Sequence, residues 1–153
     1  MNIIIRLATA SDVNIITDFN ALMAEETEHL ELDRERLRNG IEALIADSMK
    51  GMYYLAEADG KVVGQLMITY EWSDWRNATF WWIQSVYVHP EYRKLGIFRS
   101  LYQYVESIAR KRGDCCGLRL YVDESNKRAQ QTYKVLGMKH SHYQIMDVDF
   151  VLS

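Results

Sequence analysis

The segment Val86-Tyr-Val-His-Pro-Glu-Tyr-Arg-Lys-Leu-Gly-Ile-Phe-Arg99 is where residue types and spacing in this 153-residue chain could do chemistry. An extended run ends at His89-Pro90, where proline removes a ladder donor and biases its predecessor to extended backbone. The loop Glu91-Tyr-Arg-Lys-Leu-Gly96 then opens directly into a helical pattern. Helix N-termini present unpaired N–H donors and partial positive charge. Gly96 lets backbone approach a ligand closely, and Arg93, Lys94 and Arg99 add charge-assisted donors. These features describe a pyrophosphate cradle. They equally describe a solvated basic loop before an ordinary helix, and the residues alone leave both open. The spacing G-x-x-x-x-G-K-[ST] is absent, as is G-x-G-x-x-G, so neither a nucleotide P-loop nor a dinucleotide fingerprint is indicated.

Other polar groups suggest an acceptor side. Glu25, Glu26, Glu28 and Glu31 could form an acidic rim for a cationic amine, or a solvated face. Trp72 and Trp75 flank Asp74, a combination that suits a cation through ring and charge. It suits a homodimer contact equally well, since interfaces are rich in Trp. His140 and His142 lack a third ligand, so no metal site is expected. Cys115 and Cys116 are adjacent, a spacing that rarely bridges, and read as two reduced thiols.

The elements that must hold these groups follow from periodicity. Ile3–Ala8 reads as a strand, and Thr9-Ala-Ser-Asp12 supplies helix-start chemistry. Ile15, Phe19, Leu22 and Met23 mark a helix face; Asp33 caps a second helix carrying Leu37, Ile41, Leu44 and Ile45, with Gly40 weakening it. Met52–Ala58 and Val62–Tyr70 form a hairpin across Asp59-Gly60. A loop over residues 71–77 precedes the strand Thr79–Val88, with Phe80, Trp82, Gln84, Val86 and Val88 on one face. A helix follows to about Arg112, with Ile97, Leu101, Val105 and Ile108 inward. Gly117–Val122 is a strand, Ser125 caps a helix ending at Gly137, and Met138–Val151 alternates as a final strand or hairpin. This order implies a mixed α+β sheet with helices packed on it, in one domain over 1–153. A net charge of −3 does not suggest a nucleic-acid partner. No run reaches the roughly 18 apolar residues of a membrane span, and the N-terminus lacks a signal peptide's apolar core, so a cytoplasmic location is expected.

The same residues carry a resemblance. Arg93-Lys94-Leu95-Gly96-Ile97-Phe98 resembles the acetyl-CoA loop [QR]-x-x-G-x-[GA] of the GCN5-related N-acetyltransferase (GNAT) superfamily, with Phe98 where a small residue is usual. Val86-Tyr-Val-His-Pro-Glu-Tyr-Arg93 is similar to the strand and turn that precede that loop. Asn126, Ala129, Tyr133, Gly137 and Met138 match the family's N-x-x-A-x-x-x-Y-x-x-x-G-[FM] signature, and Leu55–Gly64 looks like its second and third strands. The likeness covers essentially the whole chain and looks closest to the diamine acetyltransferase branch.

The resemblance implies a mostly antiparallel, splayed sheet of six to seven strands flanked by about four helices. It implies acetyl transfer from acetyl-CoA directly to a primary amine, probed by these positions: pantetheine along Val86, Tyr87 and Val88; pyrophosphate on the loop from Arg93 through Lys94, Leu95, Gly96, Ile97, Phe98 and Arg99; cofactor contact by Asn126 and Ala129; and Tyr133 as general acid. Without it, Tyr133 would read as a packing tyrosine. Gln84 stands where the diamine branch often has a glutamate. It cannot take a proton but could orient the amine or a water, with Glu28, Trp72 and Asp74 around the acceptor. An amine with a pKa near 10.4 needs about 4–5 kcal/mol to present its neutral form at pH 7. The base is therefore left open among water, Glu71, Asp74 and the acidic stretch. A protein or peptide acetyltransferase and a non-catalytic acyl-CoA-binding module are the competing readings.

Overall fold

The computed structural model describes residues 1–152. The chain forms two compact units, Met1–Leu120 and the residues from Tyr121 on.

The first unit is a five-stranded sheet with helices on both faces. Strand β1 (Ile3–Leu7) pairs antiparallel with β2 (Met52–Ala58), β2 with β3 (Lys61–Ser73), and β3 with β4 (Ala78–Val88). Strand β5 (Cys115–Arg119) joins β4 in parallel. Asp59 and Gly60 both take positive φ, 51° and 84°, the two left-handed residues that a tight hairpin between twisted strands requires. β3 runs further than periodicity suggests. The expected loop over 71–77 shrinks to a turn at 74–77, because Glu71 and Trp72 continue the ladder opposite Phe80 and Thr79.

Helices α1 (Val13–Glu28) and α2 (Arg34–Ala46) cover one face, where Val13, Ile16 and Ile41 pack with Tyr53 and Leu55. Asp33 caps α2 as expected, accepting from the N–H groups of Glu35 at 3.0 Å and Arg36 at 3.2 Å. The inward stripe of α1 is rotated from the expected one. Thr17 and Asn20 are buried, while Leu22 is exposed. These polar side chains tolerate burial because each bonds the carbonyl four residues back, Thr17 to Val13 at 2.7 Å and Asn20 to Ile16 at 3.0 Å. Helix α3 (Ile97–Lys111) covers the other face. Ile97, Leu101, Tyr102, Val105 and Ala109 are buried, and Ile108 is only half-buried.

One charged group ties β1 to the start of α1. The Asp12 carboxylate accepts two bonds from Arg6, at 2.8 and 2.9 Å, and one from the Thr9 N–H. Arg6 also pairs with Glu57. The Arg6 guanidinium, with the Thr9 N–H, holds the Asp12 carboxyl below the usual carboxylate range despite its burial. A depressed carboxyl contributes stability above its unfolded pKa near 3.9, and loses it as pH falls through the folded value. Arg6 is a third exposed, which discounts the pair to about 1–2 kcal/mol. Asp12→Asn should therefore lower Tm by several degrees at pH 7, with the gap to wild type closing below pH ~4. A gap that persists unchanged at low pH would show that charge is not what Asp12 contributes.

The second unit carries α4 (Lys127–Val135). Asn126, not Ser125, is its N-cap, accepting from the Ala129 N–H at 3.1 Å; Ser125 instead donates to Asp123. Gly137, at φ 101°, ends the helix, with Met138 N–H on the Tyr133 carbonyl at 3.0 Å and Gly137 N–H on Lys134 at 3.0 Å. These are the paired bonds of a glycine-closed helix end. Residues 138–152 form no helix or strand among the described residues, so the expected final strand is absent and the sheet has five strands rather than six to seven. Alternation of Met146, Val148 and Phe150 supplies a face, but a strand needs a ladder. This stretch instead makes local bonds, Tyr143 N–H to Ser141 Oγ at 2.9 Å and Val151 N–H to Asp149 Oδ1 at 2.7 Å.

Candidate active site

In the first unit the site begins where two parallel strands part. β5 pairs with β4 only from Thr79 to Trp82. Beyond Trp82, the Ile83–Val88 stretch of β4 has no strand neighbour on that side among the described residues. This is the splay that the family resemblance implies.

β4 is also interrupted there. Met67 pairs with Gln84 and Gln65 with Tyr87, so Ser85 and Val86 stand opposite the single residue Leu66. This is a β-bulge, which disrupts the ladder and re-aims side chains. Its consequence corrects the expectation of one face from Phe80 to Val88. Trp82, Gln84 and Tyr87 share a face with Thr69, Met67 and Gln65, whereas Val88, opposite Gly64, lies on the face under α3.

β4 leads into the basic loop. His89 accepts the Glu91 N–H at 3.2 Å and starts a single 3-10 turn, Pro90–Tyr92. Lys94 and Gly96 both take positive φ, 66° and 82°. At Gly96 a methyl group would meet nothing within 4 Å, so the left-handed backbone, rather than crowding, is what selects glycine. α3 begins at Ile97 with no side-chain cap, so the first-turn N–H groups are offered outward beside exposed Lys94 and Arg99. Phe98, the departure from the family pattern, lays its ring near Tyr102, with centroids 6.1 Å apart. Leu95 is exposed.

Arg93 is turned away from the loop. Its Nε donates to the Val88 carbonyl at 2.8 Å, its guanidinium sits 5.3 Å from the Tyr87 ring centre, and it pairs with Glu26 at 2.9 Å. Tyr87, its ring tilted against that of Phe19 with centroids 5.0 Å apart, also donates its hydroxyl to Glu26 at 3.4 Å. Sequence reading favoured Glu28 for the acceptor side. The structure brings Glu26, two residues earlier on α1, to β4. An open depression at this end of α1 is lined by Glu25, His29, Leu30 and Glu31.

Gln84 donates one N–H to Thr69 Oγ1 at 2.6 Å, which fixes its amide and leaves its carbonyl oxygen and second N–H for other partners. Among the carboxylates considered as bases, Glu71 accepts from the Trp82 indole at 2.8 Å and from Arg119 at 3.0 Å. Those donors hold its carboxyl below the usual range, the opposite of what a base working near neutrality needs. Asp74 accepts the Trp75 N–H at the β3–β4 turn, where Trp72 is 61% and Trp75 85% exposed.

Of the remaining predicted residues, Asn126, Ala129 and Tyr133 belong to the second unit. Asn126 and Ala129 form the α4 cap described above. Burial pushes the Tyr133 phenol above its ordinary value. Cys115 and Cys116 are free thiols on β5, and burial raises the first. No helix among the described residues is long and apolar enough to cross a membrane.

Comparison with known proteins agrees with this geometry. The model of the acetyltransferase (GNAT) family matches residues 16–138. The thialysine N-epsilon-acetyltransferase of Bos taurus is 38% identical over 76 residues, 50% of this chain and 44% of that protein. The chain thus spans about half the length of the curated relatives it matches. The crystal structure of a possible acetyltransferase from Clostridium difficile 630 is 44% identical and covers 99% of both chains, with a TM-score of 0.91. A Clostridium acetobutylicum acetyltransferase crystallised with acetyl-CoA shares the fold, at a TM-score of 0.77, 16% identity and coverage of 98% and 97%. With 123 of its 153 residues matched by the family's model, and a fourth strand that parts from its neighbour before a basic loop, this chain is a member of the GNAT acetyltransferase family.

Proposed function

We propose that this chain transfers the acetyl group of acetyl-CoA directly to the primary amine of a small cation, a diamine, polyamine or lysine-like amine. The observation that carries this reading is the uncapped start of α3, reached through the left-handed Lys94 and Gly96, at the end of a strand whose far edge lacks a partner. The first-turn N–H groups of α3, with Lys94 and Arg99, would hold the pyrophosphate. The unpaired edge of β4 around Val86 would take the pantetheine arm. Arg93 fixes the loop, since its side chain is committed to Val88, Tyr87 and Glu26.

The acceptor reading rests on charge and on Gln84. The acidic end of α1 lies against β4 through Glu26 and Tyr87, and the Gln84 carbonyl oxygen is suited to accept from an amine N–H or a water. Attack on the thioester needs no covalent enzyme intermediate, so neither cysteine is required. Holding amine and thioester together supplies a large part of the barrier reduction. Relatives named for the N-epsilon acetylation of thialysine support a small amine.

The test is release of free CoA thiol from acetyl-CoA with thialysine, lysine, spermidine, short diamines and peptides as acceptors. Turnover with the small cationic amines, and little with peptides, is the expected result. Turnover confined to peptides would make this a protein acetyltransferase. Acetyl-CoA binding with no turnover on any acceptor would make it a binding module.

A further inference from the structure

Beneath the β4 bulge lies a group of polar side chains that no step above uses. Gln65 on β3 is 0% exposed. Its Nε2 donates to the Ser85 carbonyl at 3.0 Å, while its Oε1 is buried with no hydrogen-bond partner. Tyr53 on β2, itself buried, makes a side-chain bond to Ser85 and accepts from Asn20 of α1 at 3.3 Å. Ser85 has a φ of 51°, a left-handed conformation that costs a residue with a side chain. Two strands thus converge on one strained residue, with α1 holding one of them in place.

Stability does not account for this arrangement. An orphaned buried oxygen is a cost, and an apolar side chain at position 65 would remove it while taking this donor from the Ser85 carbonyl, one unmet acceptor exchanged for another. A left-handed serine within a strand is a second cost. Strain of this kind persists where the surroundings over-determine it, and it marks functional positions. Here it holds the one place where β4 leaves its ladder with β3, just past the point where β5 has already diverged. Main-chain groups at Ser85–Val86 are therefore turned out of the sheet beside the acetyl-transfer edge.

We infer that Gln65 is a positioning residue for acetyl transfer: by holding the Ser85 carbonyl it fixes the bulge that aims the Ser85–Val86 main chain at the thioester. This rests on the proposed function, and acts through Ser85 rather than through contact with the substrate.

The experiment is steady-state kinetics of Gln65→Met on the full chain, with the best amine from the acceptor panel, alongside thermal melts. The shape-preserving Met removes both the donor and the orphan oxygen. Tm should shift by only a few degrees and the KM for acetyl-CoA by less than threefold, while kcat falls at least tenfold. Adding Ser85→Gly to this variant, which makes the left-handed backbone intrinsically accessible, should restore a substantial part of kcat. A residue that merely packs would give no such rescue. If Gln65→Met does not fold, Gln65→Asn, polar but one methylene too short to reach Ser85, is judged by the same criteria. A kcat within twofold of wild type, or a loss that Ser85→Gly does not relieve, overturns the inference. Wild-type chain that turns over no amine overturns the functional reading first and this inference with it.

Discussion

If Tyr133 is the general acid that the family resemblance implies for the proposed acetyl transfer, Tyr133→Phe should reduce kcat by about 10²-fold or more, within the range by which a positioned acid accelerates such steps. KM for acetyl-CoA should change little. The departing CoA thiolate has a basicity like that of a cysteine, near 8.5, so a donor that stays protonated at neutral pH helps it leave. Burial raises the Tyr133 phenol above its ordinary value near 10. The sign is the useful one, because the group keeps its proton through the physiological range and loses it only as pH rises past that raised value. The wild-type enzyme should accordingly show no alkaline loss of kcat from this residue below pH ~10. A Phe variant within threefold of wild-type kcat would remove Tyr133 from the chemistry and leave it as packing on α4.

The second large effect is expected at Gly64. A methyl group there would lie 2.8 Å from Ile97 Cγ2 and 3.4 Å from the Tyr87 carbonyl oxygen. Ile97 is 1% exposed, is the first residue of α3 and follows Gly96 directly, so it cannot yield without moving the loop. Gly64→Ala should cost about 1–3 kcal/mol, as overpacking does, and lower Tm by several degrees. It should also weaken acetyl-CoA binding by about tenfold, equivalent to 1.4 kcal/mol, because the same shift displaces the first-turn N–H groups. Calorimetric titration with acetyl-CoA decides the matter: a lowered Tm with unchanged affinity would mean that the loop keeps its shape independently of the strand beneath it.

How far the sequence speaks for the structure depends on the range of the forces involved. Features set by a residue and its near neighbours were readable: the Asp59-Gly60 turn, the Asp33 cap, the stop at Pro90, the glycine end of α4 and the basic loop opening onto α3. Features set by partners far along the chain were not. The bulge at Ser85 arises from Gln65, twenty residues earlier, and it reverses the inside and outside of β4 where period-two reading predicted one face. The rotated stripe of α1 depends on Thr17 and Asn20 satisfying themselves on their own helix. Glu28 and Glu26 look alike in an acidic run, and only the placement of Tyr87 and Arg93 selects Glu26. A signal did exist for Gln65: a lone amide in Val62-Val-Gly-Gln-Leu-Met-Ile68 is out of place in a buried strand. The alternating stretch after Met138 shows the converse, a strand-like pattern without a ladder.

The parting of β4 and β5 has a colloidal side as well. A strand border without a neighbour is a template on which another polypeptide can grow, the usual seed of unwanted self-association. On β4 that border is the six residues past Trp82, twisted by the bulge and blunted at its end by Arg93 on the Val88 carbonyl. A nucleotide thioester lying along that border would act as a chaperone for it, so ligand occupancy would govern solubility as well as turnover.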